Sequence, residues 1–205
     1  MTNTDKPSAE DQENRYLINE DGTAFEDCEM IEKPVSCDTV FKGHVFSVDL
    51  AEVLLRDGFR APREIVRHNG GAAIVPMDEQ GNIYMVRQFR CPFNQILLEI
   101  PAGKLEPDED PELCAIRELE EETGCKTGHV ESLGVIYPSP GYCSEKLHLF
   151  LATHLSRGDA NPDDGEFLNV HRIPLRILLQ KIDEGEISDA KTIVALLKTA
   201  RRLGI

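Results

Sequence analysis

The 205-residue sequence predicts an α+β protein, an α/β/α sandwich built on a mixed β-sheet. Three observations predict it. Short runs with strand character fill the first half of the ordered chain. One capped helix interrupts them, and more strands follow. Two stretches with helical spacing then close the chain. No internal repeat or low-complexity tract competes with this reading.

The elements follow in order. Residues 1–24 show no sustained periodicity and are expected to form a solvated tail. The first 38 residues hold eleven acids and three bases. Residues 1–37 are therefore read as an acidic extension, and 38–205 as the folded domain, with order beginning near residue 38. Phe46, Val48 and Leu50 alternate with Ser47 and Asp49, the pattern of a half-buried strand. Asp57-Gly58 marks a turn, and 64–68 is a second strand candidate. Residues 72–77 form a short apolar run. A turn at 78–82 and a strand at 83–90 complete a hairpin. Further strands are expected at 96–100, 130–137 and 147–153, where Leu147, Leu149 and Leu151 share a face. Residues 174–184 and 189–203 read as helices, the second with Ile193, Leu196, Leu197 and Ala200 on one stripe.

The central helix is the most fully specified. Asp110 suits the N-cap, and Pro111 suits the first helical position, where its missing N–H costs nothing. Ala115, Ile116 and Leu119 form an inward face. Gly124 is placed to end the helix in a left-handed conformation. The helix is expected over Pro111–Thr123.

Composition excludes several classes. The formal net charge is −15, which repels nucleic acids and anionic membranes alike. No stretch approaches the roughly 18 apolar residues of a transmembrane helix. Residues 1–20 lack the apolar core of a secretory signal, so a cytoplasmic location is expected. The six cysteines, Cys28, Cys37, Cys91, Cys114, Cys125 and Cys143, form no C-x-x-C pair, which argues for reduced thiols and against a zinc site. Trp is absent, so platforms for stacking single strands are scarce. The six histidines show no spacing of interest and are read as structural.

Glu118, Glu121 and Glu122 stand at i, i+3 and i+4 on the central helix and so share one face. Like charges at that spacing repel. Two explanations fit, a solvated acidic face or an oxygen-only site for Mg²⁺ or Mn²⁺.

The wider pattern decides between them. Gly103, Glu109 and Arg117-Glu118-Leu119-x-Glu121-Glu122-x-Gly124, at their spacing, resemble the Nudix box. Cys125 departs from the aliphatic residue usual at the last position, a mild change because Cys is a small hydrophobe. The resemblance implies a Nudix fold with an acidic catalytic helix, and hydrolysis of a nucleoside diphosphate linked to another group. It implies metal ligation by Glu118 and Glu122, assisted by Glu121 and the backbone carbonyl of Ala102. Arg117 and Glu109 would support the glutamates. A polyanionic substrate and an acidic protein need such a bridging cation.

Beyond the box, the segments 85–90, 97–103 and 137–141 are similar to the ADP-ribose pyrophosphatase subfamily. Pro140 lies sixteen residues past Gly124, a placement associated with ADP-ribose. Asp189-Ala190-Lys191-Thr192 also fits. The resemblance implies that Glu145 is the catalytic base, with Glu121 and Glu118 as rivals. Arg63 and Arg90 suit phosphate contacts, because the guanidinium fork matches pyrophosphate oxygens, or else salt bridges. Glu99 sits among apolar neighbours and needs a partner, either in the substrate or in the structure. Gly103 and Gly141 would allow close backbone approach or tight turns.

The expected reaction is hydrolysis of ADP-ribose to AMP and ribose 5-phosphate. GDP-mannose or another nucleotide sugar is the alternative substrate. A non-catalytic ADP-ribose sensor fits less well, because the box acids are complete, and mRNA decapping would need a basic surface. The resemblance further implies a homodimer, with strands from 38–68 exchanged.

Overall fold

The computed structural model describes residues 30–158 and 169–205. Most of the expected acidic extension lies outside them. Two compact units emerge. One comprises the described residues up to Asp38 together with Leu50–Arg63, and the other comprises Thr39–Asp49 with Glu64–Ile205.

Strands β1 (Lys33–Lys42), β2 (Phe46–Leu54) and β3 (Arg60–His68) form a three-stranded sheet in that order. The turn expected at Asp57-Gly58 is present, with Gly58 at φ 85° and its N–H donating to the Leu55 carbonyl. β1 begins at Lys33, ahead of the order expected near residue 38; all ten of its residues are exposed, so no in–out alternation marks it in the sequence.

The larger unit carries the sandwich. Its central sheet runs β7 (Ala102–Lys104), β4 (Gly71–Pro76), β9 (Leu147–Arg157), β8 (Cys125–Ile136). β4 and β9 are parallel and the other pairs antiparallel, so the sheet is mixed as expected. A second sheet has the order β10 (Asn169–Pro174), β5 (Asn82–Arg90), β6 (Gln95–Glu99).

The period of two along β4 and β9 divides the core. Ala72, Ile74, Phe150 and Ala152 join a cluster with Cys114, Ala115 and Leu119 of helix α1 (Pro111–Thr123). Ala73, Val75, Leu149 and Leu151 join a cluster containing Leu178 of α2 (Leu175–Asp183) and Leu196 of α3 (Ala190–Leu203). Every residue of β4 is buried, which explains an apolar run without alternation. Two faces covered by helices make the α/β/α sandwich.

α1 is capped as the sequence predicts. Asp110 accepts hydrogen bonds from the backbone N–H groups of Glu112 (2.9 Å) and Leu113 (3.3 Å). Gly124 sits at φ 69° and its N–H donates to the Glu120 carbonyl. α2 starts at Leu175 because Pro174 ends β10 in extended conformation. Asp189 caps α3 through the N–H of Thr192. Among the described residues no helix is long and apolar enough to cross a membrane.

Candidate active site

β7 and the middle of α1, at Arg117 and Glu118, border a cleft of about 950 Å³ in the larger unit. Ala102, Gly103, Arg117 and Glu118 line it, with Arg90 and Glu99 from the β5–β6 sheet and Glu145 from the loop before β9. Asp110 and Pro111 set where α1 begins, and so which residues of the helix reach the cleft.

The glycine loop and the helix fit closely. A Cβ placed on Gly103 would stand 1.7 Å from Glu118 Oε1, so the carboxylate occupies the space a side chain would fill. One turn on, Glu122 is 4% exposed and accepts the Ala102 N–H at 3.2 Å. The two box carboxylates thus lie against the backbone of consecutive residues of β7.

Arg117 ties the remaining acids together. Its Nε donates to Glu109 Oε1 at 3.0 Å, and its Nη1 to Glu118 Oε1 at 2.7 Å and Glu121 Oε2 at 2.9 Å. Hydrogen bonds from Arg117 hold the Glu109 carboxyl down at about 2. The same bonds raise the Arg117 pKa above its ordinary value. One cation among three carboxylates offsets the repulsion inherent in the spacing.

The carboxylate oxygens on one helix face, beside the backbone of Ala102 and Gly103, suit a hard divalent cation. Among the described residues no three acidic, histidine or cysteine side chains converge on one point. Glu118 and Glu121 turn toward Arg117, while Glu122 accepts the Ala102 N–H.

A second network lies across the cleft. Glu99 is 1% exposed and takes a bidentate grip from Arg90, with Nε–Oε1 and Nη2–Oε2 both at 2.7 Å. Lys191 also donates to Glu99, and to Asp189 at 3.0 Å. Burial alone would raise the Glu99 pKa, but Arg90 and Lys191 outweigh it and bring it below the ordinary range. Thr192 Oγ1 donates to Asp189 Oδ2 (2.6 Å) and accepts the Ile100 N–H (3.0 Å), pinning the start of α3 to the end of β6. Glu99 therefore has structural partners. Arg90 forms a salt bridge and still lines the cleft.

The remaining expected residues are placed as follows. Arg63 belongs to the smaller unit and pairs with Glu32, its Nε donating to Oε2 at 2.9 Å. Pro140 and Gly141 lie in an exposed turn where Tyr142 and Cys143 donate to the Ser139 carbonyl, and Pro138 lines the cleft in their place. A Cβ on Gly141 would meet nothing within 4 Å, so close approach does not require that glycine. Sequence reasoning passed over His68, read as merely structural, and Lys191 and Asp189, noted only as part of a similar segment. All three line the cleft. A lone histidine ending a strand carries no local signal, and the acid–lysine pair at the start of α3 was the one trace available.

A helix-bound carboxylate cluster laid on a glycine loop, inside an α/β/α sandwich, is the layout of a hydrolase acting on metal-bound phosphates. The chain belongs to the Nudix family: a NUDIX domain model matches residues 67–196. It is a Nudix hydrolase, and members of this family generally need a divalent metal. An ADP-ribose pyrophosphatase of Bacillus subtilis (strain 168) is 40% identical over 167 residues, covering 80% of this chain and 90% of that protein. A GDP-mannose pyrophosphatase of Cronobacter sakazakii (strain ATCC BAA-894) is 34% identical over 154 residues, covering 67% of this chain and 80% of that protein. A solved structure described as an ADP compounds hydrolase superposes with a TM-score of 0.77 at 23% identity, over 84% of this chain and 94% of that one, and shows the same fold.

Proposed function

We propose that this chain hydrolyses the pyrophosphate of ADP-ribose, giving AMP and ribose 5-phosphate. The observation that carries the reading is the seating of Glu118 on Gly103 and Glu122 on Ala102, across the cleft from the Arg90–Glu99–Lys191 network. The 40% identity to an ADP-ribose pyrophosphatase supports the substrate. Similarity to a GDP-mannose pyrophosphatase keeps a second nucleotide sugar as the alternative.

Glu118, Glu121, Glu122 and the Ala102 carbonyl would hold Mg²⁺, with Mn²⁺ as the other candidate. When bound, such an ion would supply positive charge against the phosphates and would make water easier to deprotonate. Glu145 takes the proton from the attacking water. Arg90, held by Glu99, directs its remaining N–H groups toward the phosphates. Arg117 and Glu109 orient the glutamates from behind.

Three further readings belong here. Residues 1–37 act as an acidic extension to a Nudix domain at 38–205. Five cysteines among the described residues are unpaired, which suits a reducing, cytoplasmic location. The chain forms a homodimer. The wholly exposed β1 and the exposed Val40, Phe41, Val45 and Phe46 support a second copy covering that surface.

The test is a substrate panel of ADP-ribose, GDP-mannose, NADH and a diadenosine polyphosphate, each with Mg²⁺ and with chelator. Chelator-sensitive AMP from ADP-ribose at the highest kcat/KM is the expected result. Preferred cleavage of GDP-mannose would reject the substrate while keeping the metal site.

A further inference from the structure

The turn His68-Asn69-Gly70-Gly71 joins β3 to β4 and touches both loops that carry the reacting groups. On one side it holds the loop bearing Glu145. The His68 N–H donates to Ser144 Oγ (3.1 Å), and the Gly71 N–H to the Lys146 carbonyl (3.0 Å). Val66 adds two bonds to that loop, its N–H donating to the Tyr142 carbonyl (2.8 Å) and its carbonyl accepting the Ser144 N–H (2.9 Å). On the other side, the Gly70 carbonyl accepts the Leu105 N–H (3.2 Å), and Gly71 pairs with Lys104 in the β4–β7 register.

The turn leaves no slack. Gly70 sits at φ 91°, and a Cβ there would stand 2.8 Å from the Lys146 carbonyl oxygen. A Cβ on Gly71 would stand 2.7 Å from that of Gly103. The distance between the Glu145 loop and the glycine loop is thus set by these four residues.

The His68 side chain closes the turn from within. Its Nδ1 accepts the Gly70 N–H at 3.0 Å and lies 3.7 Å from Glu145 Oε1. The ring therefore stands beside the Glu145 carboxylate while its Nδ1 is engaged by the turn.

We infer that His68 is a positioning residue for the hydrolytic step, holding Glu145 at a fixed distance from the glycine loop and hence from the carboxylate helix. The inference rests on the reading of Glu145 as the proton acceptor. A displacement of about 1 Å in such a group costs up to ~100-fold in rate, which sets the scale of the effect.

The experiment is a double-mutant cycle of wild type, H68A, E145Q and H68A/E145Q on ADP-ribose with Mg²⁺. E145Q is expected to lower kcat by ~100-fold or more. H68A is expected to lower kcat about 10-fold while KM stays within about twofold. The double variant should be no slower than E145Q. H68N, whose amide oxygen also accepts the Gly70 N–H, should restore kcat to within about threefold of wild type. In the metal-free protein, Gly70 amide exchange should rise in H68A and stay low in H68N. Should H68A fail to fold, H68Q, which fills the site but moves the acceptor away from Gly70, takes its place in the cycle. Wild-type kcat in H68A, or an equal loss from H68A in both backgrounds, would overturn the role of His68. Full kcat in E145Q would overturn the reading of Glu145 itself, and with it this inference.

Discussion

Glu118 lies so close over Gly103 that a Cβ on the glycine would stand 1.7 Å from its Oε1. The contact gives the first position of the box its physical reason: the backbone at Gly103 and the Glu118 carboxylate share one space. Gly103→Ala is therefore expected to displace the Glu118 side chain. A long side chain moves at little cost to the fold, so the thermal midpoint should hold. Loss of ligand geometry should lower turnover by roughly 10- to 100-fold. A melting curve and a kcat measurement on the same preparation check both halves.

Arg117 is the common partner of Glu109, Glu118 and Glu121. Arg117→Ala should destabilise the metal-free protein by about 1–3 kcal/mol, and Arg117→Lys should recover little of it, because an ammonium cannot fork to three carboxylates. The pH dependence has a definite sign. The folded Glu109 carboxyl lies at about 2 against an ordinary 4.5. A depressed carboxyl contributes stability that is fully present above its unfolded value and is lost as pH falls toward its folded value. Urea midpoints taken from pH 6 down to pH 3 should fall less steeply in Arg117→Ala than in wild type.

Glu99 holds two cations from a buried position. Glu99→Ala would leave Arg90 and Lys191 facing each other without their shared carboxylate. A loss of about 3–5 kcal/mol is expected, as for other broken buried pairs, read from denaturant unfolding. Arg90→Ala removes the more exposed partner and should cost less stability, while raising KM for the pyrophosphate substrate.

Cys114 lies within the acidic helix and Cys125 just after it, and both are buried. Burial raises the Cys114 thiol to about 12, and both residues are almost wholly enclosed. Iodoacetamide at pH 8 should modify the exposed Cys37 and Cys91 and leave Cys114 and Cys125 untouched. Peptide mass spectrometry after brief labelling checks this.

How much was legible in the sequence depended on whether the signal was local. α1 was readable to the residue, because Asp110, Pro111 and Gly124 act within one turn of their own positions. β4 was readable as a strand, and its burial on both faces explains its lack of alternation. β1 and β10 carried no comparable mark, since β1 is exposed along its whole length and β10 over most of it. In the site, the box spacing already placed Glu118 and Glu122 together. The segment holding Lys191 was noticed but its role was not, and His68 carried no signal, because their partners lie far away in sequence, Glu99 for the lysine and Glu145 for the histidine. Arg63 was read as a phosphate contact or a salt bridge, and its pairing with Glu32, 31 residues away, is one that spacing could not reveal.

The central claim is that the glutamates of α1, seated on the Gly103 loop, drive hydrolysis. Glu122→Gln tests it most directly. The amide oxygen keeps an acceptor for the Ala102 N–H, so the fold should survive while the anionic ligand is lost. AMP released from ADP-ribose by this variant with saturating Mg²⁺, compared with wild type, is the measurement. The account predicts a loss of most activity, ~100-fold or more, with an unchanged circular dichroism spectrum. Full turnover by Glu122→Gln would contradict it.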